Sequence, residues 1–164
     1  MAIVETMDAQ TQTALRQLLN ATNVAALATL HKGEPAVSMV PYALLRDGRF
    51  VIHVSRLATH TQDMQAHARV SLLVTARADA APTPLALPRV SVQGAACVCP
   101  PDSPEYAEAR AAYLARLPDA EELFGFGDFS LFLIAPQFLR FVAGFGRAHT
   151  VTAWEYAELM RDAA

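Results

Sequence analysis

Residues 49–76 read RFVIHVSRLATHTQDMQAHARVSLLVTA, and this stretch decides the fold. Residues 50–55 and 70–76 are rich in β-branched and aromatic side chains, which predicts two strands. Between them, Thr59 and Gln62 have the spacing of a capping box, which predicts a short helix over residues 60–67 with Thr59 as its N-cap. The expected order is therefore strand, tight loop, helix and strand.

The N-terminus of this predicted helix has two interpretations. Unpaired backbone N–H groups at such an end attract anions. Hydroxyl and basic side chains surround it at Ser55, Arg56, Thr59 and His60. The stretch is either an anion-binding loop or an ordinary capped helix with Arg56 in solvent, because capping boxes are common.

The composition predicts one ordered globular domain over residues 1–164. Of the 164 residues, 53% are hydrophobic and 18% are charged, which argues against disorder. The net charge is −3 and no run of Lys or Arg occurs, so we expect no nucleic-acid partner. Residues 1–10 contain Glu5 and Asp8 and lack an apolar centre, unlike a signal peptide. With no apolar stretch long enough to span a bilayer, we expect a cytoplasmic protein and no membrane partner.

Further strands are expected on both sides of the opening stretch. Residues 24–30 and 36–45 precede it, and Asp47 and Gly48 predict a hairpin with a type I′ turn. Residues 89–97 follow it, and residues 130–143 predict two strands or one broken strand. This spacing favours a barrel over alternating βαβ units.

Two residues mark irregular positions in those strands. Pro41 cannot donate to a ladder, so it indicates a sheet edge or a β-bulge. Gly94 indicates a bend or a close approach of backbone. The strands over residues 24–98 also carry apolar residues on more faces than one small barrel buries, so we expect an exposed patch that forms a homodimer.

Helix starts are indicated at three further places. Asp8 is the expected N-cap of a helix over residues 8–20. Ser103 is the expected N-cap of a second helix, with Pro104 at its first position. Thr152 and Glu155 form a capping box that opens a last helix.

Several kinds of catalytic and metal site are not predicted. The sequence contains no phosphate-binding loop, no dinucleotide fingerprint and no nucleophile elbow. Among the 5 histidines, His60 and His67 are about 10 Å apart on a helix, too far for one ion. Cys97 and Cys99, with no second pair, make a poor zinc site, so no metal is expected.

Four segments together resemble a known group of proteins. They are PAVSMVPYA (residues 35–43), SRLATHTQDMQAHARVSLLV (55–74), PLALPRVSVQGAA (84–96) and FVAGFGRA (141–148). In this order they resemble the FMN-binding split-barrel superfamily, the pyridoxamine 5'-phosphate oxidase-like proteins, and more narrowly its haem-utilisation branch.

The resemblance implies a mainly β fold with flanking helices (α+β), a six-stranded antiparallel split β-barrel. It further implies a homodimer with FMN at the interface, acting as a flavin-dependent oxidoreductase on a small-molecule substrate. Two alternatives stay open. The same dimer cleft can serve a haem-binding or haem-degrading protein, or the protein is a flavin-binding dimer without catalysis.

The resemblance also implies which residues contact the flavin. The strand that lines the flavin matches Ser38, Met39, Val40 and Pro41. His53 and Val54 match the pair near the ring and ribityl chain. Arg89 matches the polar residue that reaches in from the neighbouring strand, where positive charge favours reduced flavin.

Other positions match the phosphate site and the second subunit. Thr59 and His60 match the phosphate-binding positions, with Ser55 and Arg56 in the preceding loop. A late loop over residues 144–147 matches the segment given by the other subunit, and it contains Phe145 and Arg147.

Three departures from the family pattern bear on function. The vitamin B6 oxidase has basic residues where this chain has Ser38, Thr59 and His60, so helix N–H groups, hydroxyls, His60 and Arg56 would have to bind the phosphate. Its substrate lysine falls at Ala43, which disfavours oxidation of pyridoxine phosphate. In the haem branch a histidine near the C-terminus can bind haem, and His149 is the last histidine here.

Overall fold

The computed structural model describes residues 6–162. Residues 1–5 and 163–164 of the predicted single domain, including the start of the segment assessed for a signal peptide, lie outside the described residues. The strands are β1 (Val24–His31), β2 (Glu34–Pro41), β3 (Ala43–Leu44), β4 (Phe50–Ser55), β5 (Arg69–Thr75), β6 (Arg89–Cys99), β7 (Phe129–Val142) and β8 (Ala148–Thr152). The α-helices are α1 (Ala9–Ala21), α2 (Thr59–Ala66), α3 (Tyr106–Arg116) and α4 (Ala153–Arg161). Short 3₁₀ turns span Ala78–Ala80 and Pro84–Ala86, and a longer 3₁₀ segment spans Pro118–Gly125.

All strands join one antiparallel sheet that curls into a half-barrel. Its order is β2-β1-β5-β6-β7-β4-β3, with β8 paired to β7. The curl brings β2 back towards β4 without ladder pairing between them. This confirms the predicted α+β split barrel. The predicted count of six strands is wrong, because the sheet of residues 6–162 has 8 strands, the short β3 and the terminal β8 among them.

The core fills the inside of the half-barrel. In β1 and β5 every second side chain points inward, and among these Ala25, Leu27, Val70, Leu72 and Val74 are buried. Helices α1 and α4 close the core with apolar side chains that are buried. These are Leu15, Leu18, Leu19, Tyr156, Leu159 and Met160. Burial of this continuous apolar surface is the main stabilising contribution to the fold.

Two of the predicted helix caps are confirmed. The Asp8 carboxylate accepts a 2.7 Å hydrogen bond from the Thr11 N–H group at the start of α1. Thr152 and Glu155 make both bonds of a capping box at the start of α4. The predicted cap at Ser103 is wrong, because α3 begins later and its N-cap position, Glu105, makes no side-chain bond.

The hairpin with type I′ geometry is not the one that the sequence predicts. A type I′ turn needs positive φ at both central residues. Lys32 and Gly33, between β1 and β2, have φ of 52° and 83°. Between β3 and β4 only Gly48 has a positive φ, 86°, so the predicted type I′ turn at Asp47 and Gly48 is wrong.

Pro41 marks an edge strand, as predicted, since β2 lies at one end of the sheet order. The β-bulge lies instead in β7, where Gln137 is the extra residue, because Gln93 and Gly94 of β6 pair with Phe138 and Pro136. A Cβ atom on Gly94 would lie 2.6 Å from the Ala135 carbonyl oxygen, so the predicted close approach is confirmed. Residues 130–143, predicted as one broken strand or two, lie almost wholly in the single strand β7, and Pro136 is tolerated there because it lies next to the bulged residue Gln137. Within residues 6–162, none of the helices is long and apolar enough to cross a membrane.

Candidate functional site

Helix α2 begins one residue earlier than the sequence predicts, and its cap is different. The N-cap is Ala58, so the predictions of Thr59 as N-cap and of a capping box with Gln62 are wrong. The cause is Ser55, whose hydroxyl oxygen accepts the Leu57 N–H at 3.1 Å, while its carbonyl accepts the Ala58 N–H at 3.1 Å. These two bonds form a turn over residues 55–58, so Thr59 is already the first residue of the helix and not its N-cap.

The first turn of α2 leaves N–H groups available to a ligand. The N–H groups of Thr61 and Gln62 donate to the Ala58 carbonyl at 3.1 and 3.3 Å. Those of Thr59 and His60 have no acceptor among residues 6–162, as expected for the first helical residues. Burial lowers the pKa of His60, with Asp63 opposing the shift, so His60 is neutral at pH 7.

The two side chains of the preceding loop are already engaged. The Ser55 hydroxyl donates to Asp128 Oδ2 at 2.6 Å. The Arg56 guanidinium donates to the Gly127 carbonyl at 3.0 Å, and the Arg56 backbone N–H donates to the Asp128 carbonyl at 2.7 Å. The predicted anion-binding side chains therefore bind a turn of the chain itself.

His53 and Val54 do not form a joint surface for a flavin ring. Val54 is 5% exposed and points into the core. His53 is 7% exposed and lies on the opposite face, stacked on Phe124 at a centroid distance of 3.9 Å and an angle of 10°. Tyr113 and Phe129 approach its ring at 5.8 and 5.2 Å. Both residues are covered.

The environment of His53 keeps its imidazole neutral. Burial and the nearby Arg110 guanidinium, which lies 4.9 Å from the centre of the Phe124 ring, lower the pKa of His53 to about 4. Its buried Nδ1 atom has no hydrogen-bond partner among the described residues. The imidazole is therefore neutral, with an unpartnered Nδ1 atom inside an aromatic enclosure.

The four predicted residues of β2 alternate between the two faces of the sheet. Val40 is 2% exposed and belongs to the core, whereas Met39 is 64% exposed on the outer face. Ser38 points inward, and its buried hydroxyl has no partner within the described part of the chain. Pro41 is half-buried at the sheet edge. Only Met39 offers its side chain to a ligand on the outer face.

The Arg89 guanidinium binds the loop that immediately precedes β6. Its guanidinium donates to the carbonyls of Leu85 and Leu87 at 3.1 and 3.0 Å. In the late loop, Phe145 is 75% exposed, and Arg147 closes a turn by donating its N–H to the Gly144 carbonyl at 3.1 Å. This loop is free to contact another molecule.

His149 lies on the side of β8 away from the outer face. It pairs with the fully buried Phe141 and shares its face with the fully buried Val151. It is close enough to Asp8 to contribute, after Thr11 and Arg147, to the lowered pKa of that carboxyl. His149 is therefore not placed to bind a haem on the outer face.

An exposed apolar surface occupies one side of the outer face. We call it the outer patch, and it consists of Val24, Val37, Met39 and Leu73, which are 46%, 73%, 64% and 43% exposed. Ala26 pairs with Met39 on one side and with Leu73 on the other, so the patch is continuous across β2, β1 and β5. Beyond it the same face turns polar, since Leu73 pairs with Ser91 and Ser91 pairs with Arg140.

A buried polar network anchors α2 to β1, and no sequence signal indicates it. The Asp63 carboxylate is 5% exposed and accepts hydrogen bonds from Thr29 Oγ1 at 2.9 Å and from His31 Nδ1 at 2.7 Å. The hydrogen bond from His31 is the main cause of the lowered pKa of Asp63. Thr61 on the same helix is fully buried, and its hydroxyl has no partner in the described chain.

The site residues fit haem better than they fit FMN. A phosphate dianion needs unbalanced cations or several donors, yet the Arg56 guanidinium binds the turn that carries the Asp128 carboxylate and His60 is neutral, so FMN phosphate fits poorly. Haem is a flat apolar macrocycle with two carboxylates, and the outer patch offers apolar surface beside a polar edge with Arg140. A neutral histidine such as His60 also suits iron ligation, which requires a deprotonated nitrogen.

Comparison with known proteins gives consistent matches. A family described as pyridoxamine 5'-phosphate oxidase matches residues 11–143. A chloroplast haem oxygenase, HOZ, from Arabidopsis thaliana is 36% identical over 137 residues, 82% of this chain and 40% of the plant protein. The haem oxygenase HutZ from Vibrio cholerae is 28% identical over 122 residues, 74% of this chain and 69% of HutZ.

A solved structure agrees with these matches. A haem-binding protein from Mycobacterium smegmatis has a TM-score of 0.83 and 34% identity, covering 93% of this chain and 62% of that one. The chain thus spans 40% of the plant relative and 62% of the mycobacterial protein.

Proposed function

Because this chain belongs to the pyridoxamine 5'-phosphate oxidase family, we propose that it is a haem-binding protein of that split-barrel family. Two copies of the chain would meet through the outer patch and hold haem between them. When bound, haem would supply the iron that activates dioxygen. Haem degradation by the bound complex is part of the proposal, since two relatives are named haem oxygenases.

The outer patch is the observation that carries this proposal. Val37 and Met39 expose 73% and 64% of their surface on a strand at the sheet edge. Exposed apolar patches of this kind mark interfaces or ligand grooves in soluble proteins. A second copy and a macrocycle would both remove this patch from water, at about 25 cal/mol per Å² of apolar surface.

The histidines differ in whether a ring nitrogen is available to bind iron, and His60 meets this condition best. His31 donates Nδ1–H to Asp63, and His53 is enclosed by aromatic rings. His67 is exposed at the C-terminal end of α2. His60 is half-buried and neutral at pH 7, and its ring makes no hydrogen bond within residues 6–162. We therefore assign the axial nitrogen to His60. Its helix packs on the inward side of β1 through Asp63 and Thr29, so the haem would extend from the outer patch over the edge of the sheet to α2.

A haem titration followed by absorption tests this assignment. The wild-type protein should give a saturable Soret band, and His60→Ala should shift that band and weaken binding at least about tenfold, a change of about 1.4 kcal/mol. His67→Ala is the matched control, since it removes an exposed histidine from the same helix. Equal spectra and affinities for the two variants would exclude His60 as the ligand.

Degradation is tested separately with the same complex. Haem-loaded protein supplied with a reductant and dioxygen should lose its Soret band and release iron, which a chelator detects. A complex that keeps its Soret band under these conditions would be a binding protein without haem oxygenase activity. The binding half of the proposal would then stand alone.

A flavin-dependent oxidoreductase is the second candidate. The free N–H groups of Thr59 and His60 at the N-terminus of α2 favour it, because such groups bind phosphate. Purified protein with flavin absorption that survives gel filtration, and oxidises a small-molecule substrate, would support this candidate. Protein that takes up haem but no FMN would exclude it.

A further inference from the structure

The turn formed by Gly127 and Asp128 accepts hydrogen bonds from the loop that precedes α2. We propose that Asp128 makes the N-terminal end of α2 selective against phosphate groups. The acidic side chain acts as an internal substitute for the anion. This inference does not rest on haem binding, because it concerns only the loop before α2.

Three hydrogen-bond donors of the loop between β4 and α2 bind this turn. The Ser55 hydroxyl donates to the Asp128 carboxylate at 2.6 Å, and the Arg56 N–H donates to the Asp128 carbonyl at 2.7 Å. The Arg56 guanidinium donates to the Gly127 carbonyl at 3.0 Å. A hydroxyl, a backbone N–H and a guanidinium are the groups that commonly bind phosphate oxygens.

The position of Asp128 is fixed by the sheet and is not that of a free surface side chain. Asp128 immediately precedes β7, and Phe129 at the start of β7 pairs with Ser55 at the end of β4. The Phe129 ring also packs 5.2 Å from the His53 ring. The carboxylate is therefore held at the end of the same ladder that carries its partner Ser55.

The charge balance at this end of α2 follows from these contacts. The Asp128 carboxylate offsets the charge of the Arg56 guanidinium, which binds the same turn, so a phosphate dianion at the free N–H groups of Thr59 and His60 meets no net positive charge. His60 is neutral at pH 7 and adds none. A ligand without a phosphate group does not need such a charge. The site should therefore bind riboflavin about as well as it binds FMN.

Calorimetric titration of Asp128→Asn with FMN and with riboflavin tests the proposal. Asparagine keeps an oxygen that can accept from Ser55, so the turn is preserved while the charge is removed. We expect the wild-type affinities for FMN and riboflavin to differ by less than about threefold. In Asp128→Asn the FMN affinity should rise about tenfold, and the riboflavin affinity should stay within about twofold.

Controls keep the result interpretable. Asp102→Asn removes one negative charge from an exposed turn elsewhere and should leave the FMN to riboflavin ratio unchanged. Asp128→Ser is a second variant in case the asparagine variant does not fold, as judged by thermal unfolding. A wild-type preference for FMN of tenfold or more would overturn the proposal. So would an Asp128 variant with an unchanged ratio, or one that still fails to bind FMN measurably. Haem titrations of Asp128→Asn should match the wild type, which separates this outcome from that of the proposed haem function.

Discussion

Two regions of the outer face of the sheet differ in what covers them. Over β3 and β4, α3 and the 3₁₀ segment Pro118–Gly125 supply Tyr113 and Phe124, which cover His53 and bury Val51. Over β1 and β2 no element of the described chain covers the outer patch, and Val37 remains 73% exposed. The β3–β4 region is covered by other elements of the same chain, whereas the outer patch over β1 and β2 is exposed to a second molecule.

The comparison shows that burial, not residue type alone, decides which outer-face residues can act on a ligand. The His53 imidazole is a side chain able to bind a ligand, but the rings of Phe124, Tyr113 and Phe129 enclose it. Burial keeps it neutral by lowering its pKa to about 4. Met39 has little polar chemistry but is 64% exposed. Ligand binding is therefore expected over β1 and β2, while the β3–β4 region contributes stability.

The largest expected effect is on the covered region. Tyr113 is 2% exposed, so Tyr113→Ala should lower the free energy of unfolding by about 3–5 kcal/mol. Val37→Ala, measured in a Met39→Glu background that cannot pair through the outer patch, should change it by no more than about 0.5 kcal/mol. Urea denaturation measures both values. Similar losses for the two substitutions would contradict the distinction between covered and open regions.

The second-largest expected effect is a change of the unfolding free energy with pH that is caused by His53. The pKa of His53 is about 4 in the folded protein and about 6.5 when unfolded, so the unfolded state binds the extra proton first as pH falls. Stability should therefore be lost between pH 6.5 and pH 4, by about 3 kcal/mol in total. Well above pH 6.5 this residue contributes no pH dependence, because its imidazole is then neutral in both states.

His53→Phe isolates that contribution, because phenylalanine keeps a ring between Phe124 and Tyr113 but cannot titrate. The slope of the unfolding free energy between pH 6.5 and pH 4 should flatten in this variant, whatever its absolute stability. His67→Gln, which removes an exposed histidine, should keep the wild-type slope. An equal slope in His53→Phe and the wild type would show that His53 is not held neutral by its enclosure.

The smallest effect on the fold, and the most informative on the open region, is expected from Met39→Glu. Light scattering of the wild type at micromolar concentration should give about twice 17.7 kDa. A carboxylate in the centre of the outer patch would be buried without a partner on pairing, so the dimer dissociation constant should rise at least about tenfold. The subunit should keep its far-UV circular dichroism, because Met39 is 64% exposed.

This prediction fails in either of two ways. A wild-type protein that is monomeric at micromolar concentration would show that the outer patch does not pair two copies. A Met39→Glu protein that dimerises as tightly as the wild type would show that pairing uses another surface. In both cases the open region would need a different occupant.

Features set by neighbouring residues could be predicted from the sequence. The caps at Asp8 and at Thr152 with Glu155 depend on side chains within three residues, and both are present. The strand over residues 50–55 was also predicted at its observed limits. The cap at Thr59 failed because Ser55 closes the turn earlier, a competition between two similar hydroxyls that spacing does not resolve.

Features set by distant residues could not be predicted. The Ser55 bond to Asp128 and the His31 bond to Asp63 join segments 73 and 32 residues apart, and only the sheet order brings them together. For the same reason His53, assigned to a cofactor from the resemblance, lies under α3 and the 3₁₀ segment. The resemblance identified the fold, but the contacts of each site residue depend on which elements cover it.

The most direct test of the central claim is the absorption spectrum of the protein purified from cells that supply both haem and flavin. We expect a Soret band that stays with the dimer through gel filtration and weakens in Met39→Glu, since the open outer patch would hold the haem. Flavin absorption without a Soret band, or a Soret band of equal strength in the Met39→Glu protein, would contradict it.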